Sequence, residues 1–571
     1  MPKVFIQGFG EVDLDQRSFL AAGGEGKIYA KGNVAYKVYD DPKKMMPMAK
    51  MKELAVLDHP HIIRPELLIL DKKNIPIGYT MKLVKDTHAL CQLFTKAFRQ
   101  RNSITPDQMI KLVRTFQEMI AFVHSKHILV VDLNEMNFLA DNTFKDLYAI
   151  DVNSYQTPHY PATVIMDSIR DRHCNSKFNE GTDWFSWGIV SFQMLIGIHP
   201  YKGKHPKFEH LAPDDRLNAR MESNISVFDP DTSVPHVCQS FDVIPPALKQ
   251  WYQAVFTQGH RVPPPQDYEV MGPIITKIKA IAGSNLFEIE ELGEYMGAIL
   301  NCQNSGGMRV VHTDQALYVN KQRFLSKRND FKLGFTPKMN RAIAAYQEGS
   351  NVHIIDIVRQ IEHTLPITSE GLMSSGGRIY IRNGTDILEL AFAEMGDNFI
   401  PSLRPVGKVL DVLDATKVFD GVIFQCMMGR WIASIFPVSG ECHQINLAEL
   451  DDYRIIDAKY ENNVLMVVGE KAGKYDRFVI RFGSGYTGHD MRKVENITYT
   501  GLNFTVADHG VCSCINEEEK MEVFSNKKDS ATVKVIDDPV VDSDMTLFHD
   551  GSSILFSKGS KLYRISMKKK P

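Results

Sequence analysis

The chain has 571 residues, of which 44% are hydrophobic and 24% charged. That length predicts more than one domain, and the composition is that of ordinary folded protein rather than a disordered chain. A net charge of −3 gives no default attraction to nucleic acid or to an anionic membrane, and no stretch has the roughly 18 to 20 apolar residues of a membrane-spanning helix.

Met1 to Val12 lacks a basic segment followed by an apolar run, which argues against a secretory signal. Eight cysteines are scattered along the chain, a usage that fits a reducing, cytoplasmic compartment. Cys512 and Cys514 form a lone C-x-C without the second ligand pair a structural zinc site needs, and read as thiols.

In chain order, the first feature is a glycine-rich turn, Leu20-Ala21-Ala22-Gly23-Gly24-Glu25-Gly26-Lys27-Ile28-Tyr29, between two strand-like runs. Missing side chains there let backbone N–H groups approach phosphate oxygens. Val34-Ala35-Tyr36-Lys37-Val38 then places one lysine inside a strand that otherwise reads as buried, where an ammonium needs a compensating anion.

Thr105-Pro106-Asp107-Gln108 is an N-cap with a first-turn proline and a capping-box glutamine. Met109, Leu112, Val113, Phe116, Met119, Ile120 and Val123 follow at helical spacing and predict a long helix ending at His124-Ser125. Next, the apolar run from Ile128 delivers Asp132 and, five residues later, Asn137 before Phe138-Leu139. Tyr148-Ala149-Ile150-Asp151-Val152-Asn153 supplies another carboxylate at the end of a short strand, and Asp183-Trp184-Phe185-Ser186-Trp187-Gly188 opens an apolar helix.

Past Gly283 the periodicity changes to short alternating runs separated by polar turns. First strands of hairpin-like pairs are expected near Arg378, Gly421, Val464, Gly510 and Ser552. Weaker candidates lie at Met308 to Asn320 and Arg341 to Ile357, and Asn383-Gly384 reads as a type I′ turn. A period of about 40 to 45 residues is that of β-propeller blades, here about six or seven. Two stacked β-sandwiches are the other arrangement the pattern allows.

Taken together and in order, the elements from about residue 15 to 280 resemble the eukaryotic-type protein kinase superfamily. The implied architecture is a multidomain chain of α+β and all-β parts. A bilobal protein-kinase-like domain spans 1–283, with lobes of about 1–82 and 83–283, and a β-propeller-like repeat domain spans 284–571. The resemblance makes Asp132 the catalytic aspartate and Lys37 the lysine that holds the nucleotide phosphates. It makes Asn137 and Asp151 the magnesium ligands. ATP would lie against Gly23, Gly24, Gly26, Ile28, Ala35, Lys37, Met81, Lys82, Val84 and Leu139, with Met81 as gatekeeper and Lys82 to Val84 as hinge. Asp183 would brace the catalytic loop. The implied activity is ATP- and magnesium-dependent phosphotransfer to protein hydroxyls, of serine/threonine type. A nucleotide-binding pseudokinase scaffold and a small-molecule kinase are the alternatives.

Several positions depart from the family pattern. Val130-Val131 precede Asp132 where His and Arg are usual, which removes the usual partner of an activation-loop phosphate. Asn134 stands in place of a lysine that contacts the transferring phosphate, a loss that Lys27 or another base would have to make good. Asn153, a residue tolerant of left-handed backbone, ends the Asp-x-x triplet. Thr163 to Asp171 contains no Ala-Pro-Glu. Counting back from His59-Pro60 places Lys50 where a glutamate should pair with Lys37, leaving Glu53 or Glu25 as the possible partner. The C-terminal half carries no catalytic constellation and would recruit a protein substrate or docking partner, so that removing residues beyond about 285 would leave basal phosphotransfer intact.

Overall fold

The structure is a computed structural model that describes residues 3–568, apart from 16–17, 23–24, 163, 175–176, 236–237, 269–282, 285, 326–327, 329, 411–414 and 498–499. The N-terminal region is α/β. Its first layer is a seven-stranded antiparallel sheet built from β1 (Lys3–Ile6), β2 (Gly10–Asp13), β3 (Phe19–Ala22), β4 (Gly26–Lys31), β5 (Val34–Tyr39), β6 (Leu68–Leu70) and β7 (Pro76–Lys82), in the order β2-β1-β6-β7-β5-β4-β3. A short helix, α1 (Met48–Leu54), lies between β5 and β6 in the chain.

Beyond β7 the chain forms a mainly helical layer: α2 (Lys96–Arg101), α3 (Pro106–Ser125), α4 (Glu180–Ile196), α5 (Pro213–Glu222) and α6 (Pro246–Phe256). With them is a three-stranded sheet of β8 (Thr87–Ala89), β9 (Phe138–Asp141) and β10 (Leu147–Ala149), with β9 in the middle. Thr105 and Gln108 close the expected capping box on α3, and the seven apolar residues of its expected face are all buried. In α4 every residue from Thr182 to Ile196 is buried, as suits a helix apolar on all sides.

The described residues of the C-terminal region form seven four-stranded antiparallel sheets, an all-β arrangement. Six are continuous in sequence, at 299–325, 332–365, 371–408, 416–446, 454–494 and 504–536. The seventh joins the region's two ends, because Phe287–Glu294 pairs with Lys561–Met567 beside Ser553–Lys558 and Thr546–Asp550. The opening strand Ile299–Ser305 lies against both Lys332–Phe335 of the next sheet and Thr546–Asp550 of the last.

Of the runs expected as first strands, Arg378–Asn383, Val422–Met427, Val464–Lys471 and Val511–Ile515 are the second strands of their sheets, and Ser553–Lys558 is second from the Thr546–Asp550 edge of the seventh. Met308–Thr313 and Ala342–Glu348 hold the same place. True first strands such as Thr416–Phe419 and Phe504–Val506 are only four and three residues long, too short to show alternation. The turn at 383–386 also differs from expectation. Asn383 pairs with Asp386, so Gly384 and Thr385 form the turn, and only Gly384 has positive φ, at 54°. Cys512 and Cys514 are buried in the core between sheets 454–494 and 504–536.

The two regions share a hydrophobic core. Ile456, Val468, Tyr475 and Ile497 pack in the cluster formed by α3, α4 and their surroundings. Arg101 of α2 bridges Asp420 at 3.2 Å and the buried Asp457 at 2.8 Å. Truncation near 285 would bare the N-terminal half's share of this core. Among the described residues, no helix is long and apolar enough to cross a membrane.

Candidate active site

Strand β5 carries Lys37 into the molecule, and its neighbours determine what shares its face. Lys37 lies opposite Ile28 on β4 and Tyr79 on β7, and Ala35 lies opposite Met81. Cross-strand partners and i, i+2 residues project to the same side, so Ile28, Ala35, Lys37, Tyr79 and Met81 form one patch. Gly26 has a packing reason to be glycine: an added Cβ would sit 2.3 Å from the Val38 carbonyl oxygen. Gly23 and Gly24 lie outside the described residues. Lys82 ends β7 and is exposed, Val84 is half-buried just after it, and the intervening Leu83 N–H donates to the Asn33 carbonyl. Leu139 is half-buried on β9.

The Lys37 ammonium has three protons and three acceptors: Asp151 Oδ1 at 2.8 Å, Glu25 Oε2 at 3.1 Å and Asn153 Oδ1 at 3.2 Å. Burial works against its charge, but Asp151 leads a set of neighbours that more than offset it, so its pKa lies above the usual lysine value. Of the two possible glutamates, Glu25 is therefore the partner, from the glycine-rich turn. Glu53 instead meets the ring of His159, 2.7 Å away. Lys50, at the position expected of a glutamate, is buried and donates to the Asn153 carbonyl at 2.8 Å; burial lowers its pKa.

Asn153 has a further task. Its Oδ1 also accepts from the buried Tyr79 hydroxyl at 2.6 Å, so one amide oxygen ties Lys37 to β7. The left-handed residue in Asp151-Val152-Asn153 is Asp151, at φ 59° and ψ 35°, while Val152–Ser154 form a 3-10 turn. Asn153 thus serves through its side chain and carbonyl, not through left-handed backbone. Tyr79 gave no signal in the sequence beyond being a strand residue.

Asp132 and Asn137 lie on the loop between α3 and β9. The Asn137 amide donates to the Asp132 carbonyl at 2.9 Å, leaving Oδ1 as the atom it can offer a cation. Its own carbonyl accepts from Ile150 N–H at 2.8 Å, which fixes Asn137 beside the segment carrying Asp151. Asn137 and Asp151 therefore offer two hard oxygen donors on adjoining segments, a set that fits magnesium. Asp132 Oδ1 accepts from Met166 N–H at 2.8 Å. Burial raises the Asp132 pKa against the pull of that bond. Asn134 is buried and accepts from Met136 N–H at 2.8 Å, so it braces the loop. Lys27 pairs with Asp40 at the surface.

The loop is held from below by Asp183, in the first turn of α4, where a carboxylate is favoured. Asp183 is fully buried and accepts from Val130 N–H at 2.8 Å and Val131 N–H at 2.9 Å, with His124 Nε2 at 2.9 Å. Val131 has φ 62°, a costly conformation for a β-branched residue that its surroundings must enforce. On the far side, where no Ala-Pro-Glu occurs, Asp171 makes a two-pronged pair with Arg261 at 2.6 and 2.7 Å. That anchor was not apparent from sequence, because the partners are 90 residues apart.

No protein-family model matches the chain, and no curated protein matches it. Among solved structures, the Cydia pomonella granulovirus kinase PK-1 is similar at 12% identity and a TM-score of 0.31, over 42% of this chain and 88% of that one.

Proposed function

We propose that the protein is an ATP- and magnesium-dependent phosphotransferase acting on protein hydroxyls of the serine/threonine type, with a bilobal kinase-like domain over 1–283. The observation that carries this reading is the meeting of Lys37 with Asp151 at 2.8 Å, beside a loop that holds Asp132 and Asn137. In it, Lys37 holds the nucleotide phosphates. Glu25, whose side chain is 53% exposed, is the acceptor best placed to give way to them. Asp132 accepts or orients the proton of the attacking hydroxyl. Magnesium, when bound by Asn137 and Asp151, supplies charge neutralisation at the phosphate oxygens. The chain's own task is positioning and charge compensation.

In the same reading, residues 284–571 are a seven-bladed propeller that recruits a protein substrate or docking partner. The pairing of Phe287–Glu294 with Lys561–Met567 supports it, since a ring must join its first and last blades. Transfer from labelled ATP to the protein itself or to a generic acceptor, with and without magnesium, tests the activity. A thermal shift with magnesium-ATP but no transfer would favour a nucleotide-binding scaffold instead.

A small hydroxylated acceptor is the second reading. It is favoured by the packing of Glu135 and Met166, which flank Asp132, against the C-terminal region. Such contacts narrow the approach for an extended polypeptide. ATP consumption with small hydroxyl compounds but not with protein acceptors would select it.

A further inference from the structure

One hairpin of the C-terminal region, Val464–Lys471 and Lys474–Phe482, reaches both chain segments that flank Asp132. Glu135 lies between Asp132 and Asn137 on the loop and is buried. Its Oε1 accepts from the Tyr475 hydroxyl at 2.6 Å, and Tyr475 is itself buried in the N-terminal core. Tyr475 is the hydroxyl that meets this carboxylate inside the protein, so the hydrogen bond fixes where the middle of the loop sits. The next residue, Met136, gives its carbonyl to Arg454 Nη1 at 3.5 Å, from the same sheet.

On the other flank is Met166, whose N–H binds Asp132. Gly473, at the hairpin turn with φ 78°, sits directly against it: an added Cβ would lie 2.5 Å from Met166 Sδ and 2.8 Å from Cγ. The turn is itself fixed, since Gly473 N–H donates to Glu470 Oε1 at 2.8 Å. Tyr475 and Gly473, two residues apart, thus touch the loop that carries Asp132 and the segment that binds its carboxylate.

We infer that this hairpin is a built-in part of the phosphotransfer site, with Tyr475 a positioning residue that sets the loop Asp132 to Asn137 and Gly473 the seat that sets Met166. The inference rests on the phosphotransfer reading. It gives the C-terminal region a second role beside recruitment: a shift of sheet 454–494 would move the loop that carries Asp132 and Asn137, whereas Lys37 lies on β5, outside the contacts of Tyr475 and Gly473. A partner bound to the sheets would therefore alter turnover before it altered the hold of Lys37 on the nucleotide.

The test uses the full chain with Tyr475→Phe, which keeps the ring in the core and removes only the hydroxyl, and Gly473→Ala as a second variant. Three quantities are measured: phosphate transfer with magnesium-ATP, nucleotide affinity with and without magnesium, and backbone hydrogen exchange over residues 130–137 and 164–169. Tyr475→Phe should slow turnover by up to roughly a hundredfold, the cost of about 1 Å of misplacement at a reacting group. Affinity for ATP without magnesium should stay within about twofold, because the acceptors of Lys37 are untouched, and exchange should rise at 130–137 but not at 34–39. Gly473→Ala, whose Cβ would meet the Met166 side chain, should raise exchange at 164–169 and slow turnover less than Tyr475→Phe does. Combining Tyr475→Phe with Glu135→Ala should cost no more than the worse single variant, because both remove one contact. Wild-type turnover and unchanged exchange in both hairpin variants would overturn the inference and leave the phosphotransfer reading standing. Absence of transfer in the wild-type chain would overturn that reading instead, and the exchange measurements would still decide whether the hairpin holds the loop.

Discussion

Replacing Asp183 by Asn separates loop positioning from nucleotide binding. The carboxylate accepts three bonds in a fully buried site: Oδ2 serves Val130 N–H and His124 Nε2, and Oδ1 serves Val131 N–H. An amide has one oxygen. Turned to keep the two partners of Oδ2, it sets its NH2 against the Val131 N–H, a donor facing a donor. At least one charge-assisted bond is lost and one buried donor is left unsatisfied, about 2 to 4 kcal/mol in all. That is comparable with the roughly 1 to 3 kcal/mol a strained backbone conformation stores. Val131 should therefore leave φ 62° and carry Asp132 with it. A displacement of about 1 Å at a reacting group costs on the order of 10² in rate. The expected result is a fall in turnover of about that size, with nucleotide affinity within about threefold of wild type and faster exchange at the Val130 and Val131 amides. Unchanged turnover, or equal losses in affinity and turnover, would refute the reasoning.

Other changes address other parts of the account. Lys37→Met should abolish the thermal stabilisation by magnesium-ATP, which for a functional site at 100-fold ligand excess is about 2.7 kcal/mol; an undiminished shift would remove Lys37 from the phosphate site. Arg101→Met leaves Asp457 buried without its partner, and should destabilise the contact between the regions by about 3 to 5 kcal/mol, read as a lower melting temperature or a split transition. Burial alone would raise the Asp171 carboxyl, but the two-pronged bond to Arg261 more than compensates, so its pKa is lower folded than unfolded. Its stabilising contribution is then present above about pH 4, the unfolded carboxylate value, and lost as pH falls through the lower folded pKa. Asp171→Asn should flatten that part of the acid-unfolding curve.

What the sequence made legible was local. The α3 capping box and its apolar face depend on residues within one or two turns, and Thr105, Gln108 and Met109 onward suffice to place them. The central hairpins of the sheets were visible because their strands are long enough for a pattern, whereas edge strands of three or four residues such as Phe504–Val506 and Thr416–Phe419 are not, although the eight-residue edge strand Arg454–Glu461 shows that length is only part of the reason. The partner of Lys37 was legible only as a choice between Glu53 and Glu25. A gapless count from His59-Pro60 lands on Lys50, in α1, whereas the carboxylate comes from Glu25, 12 residues before Lys37 in the chain. Nor could sequence give the left-handed Asp151, which depends on contacts from elements far away in the chain: Lys37 on its carboxylate and Asn137 on the preceding Ile150 N–H. Glu135 and Tyr475 are 340 residues apart, and only the shared core brings them together.

The central claim is that Lys37, Asp132, Asn137 and Asp151 form one phosphotransfer centre. The most direct measurement is magnesium-dependent transfer of the terminal phosphate of ATP by the full chain, compared with Asp132→Asn under the same nucleotide saturation. The account predicts a fall of roughly 10² to 10⁴ in transfer with nucleotide binding retained. Transfer undiminished in Asp132→Asn, or transfer that proceeds equally without magnesium, would contradict it.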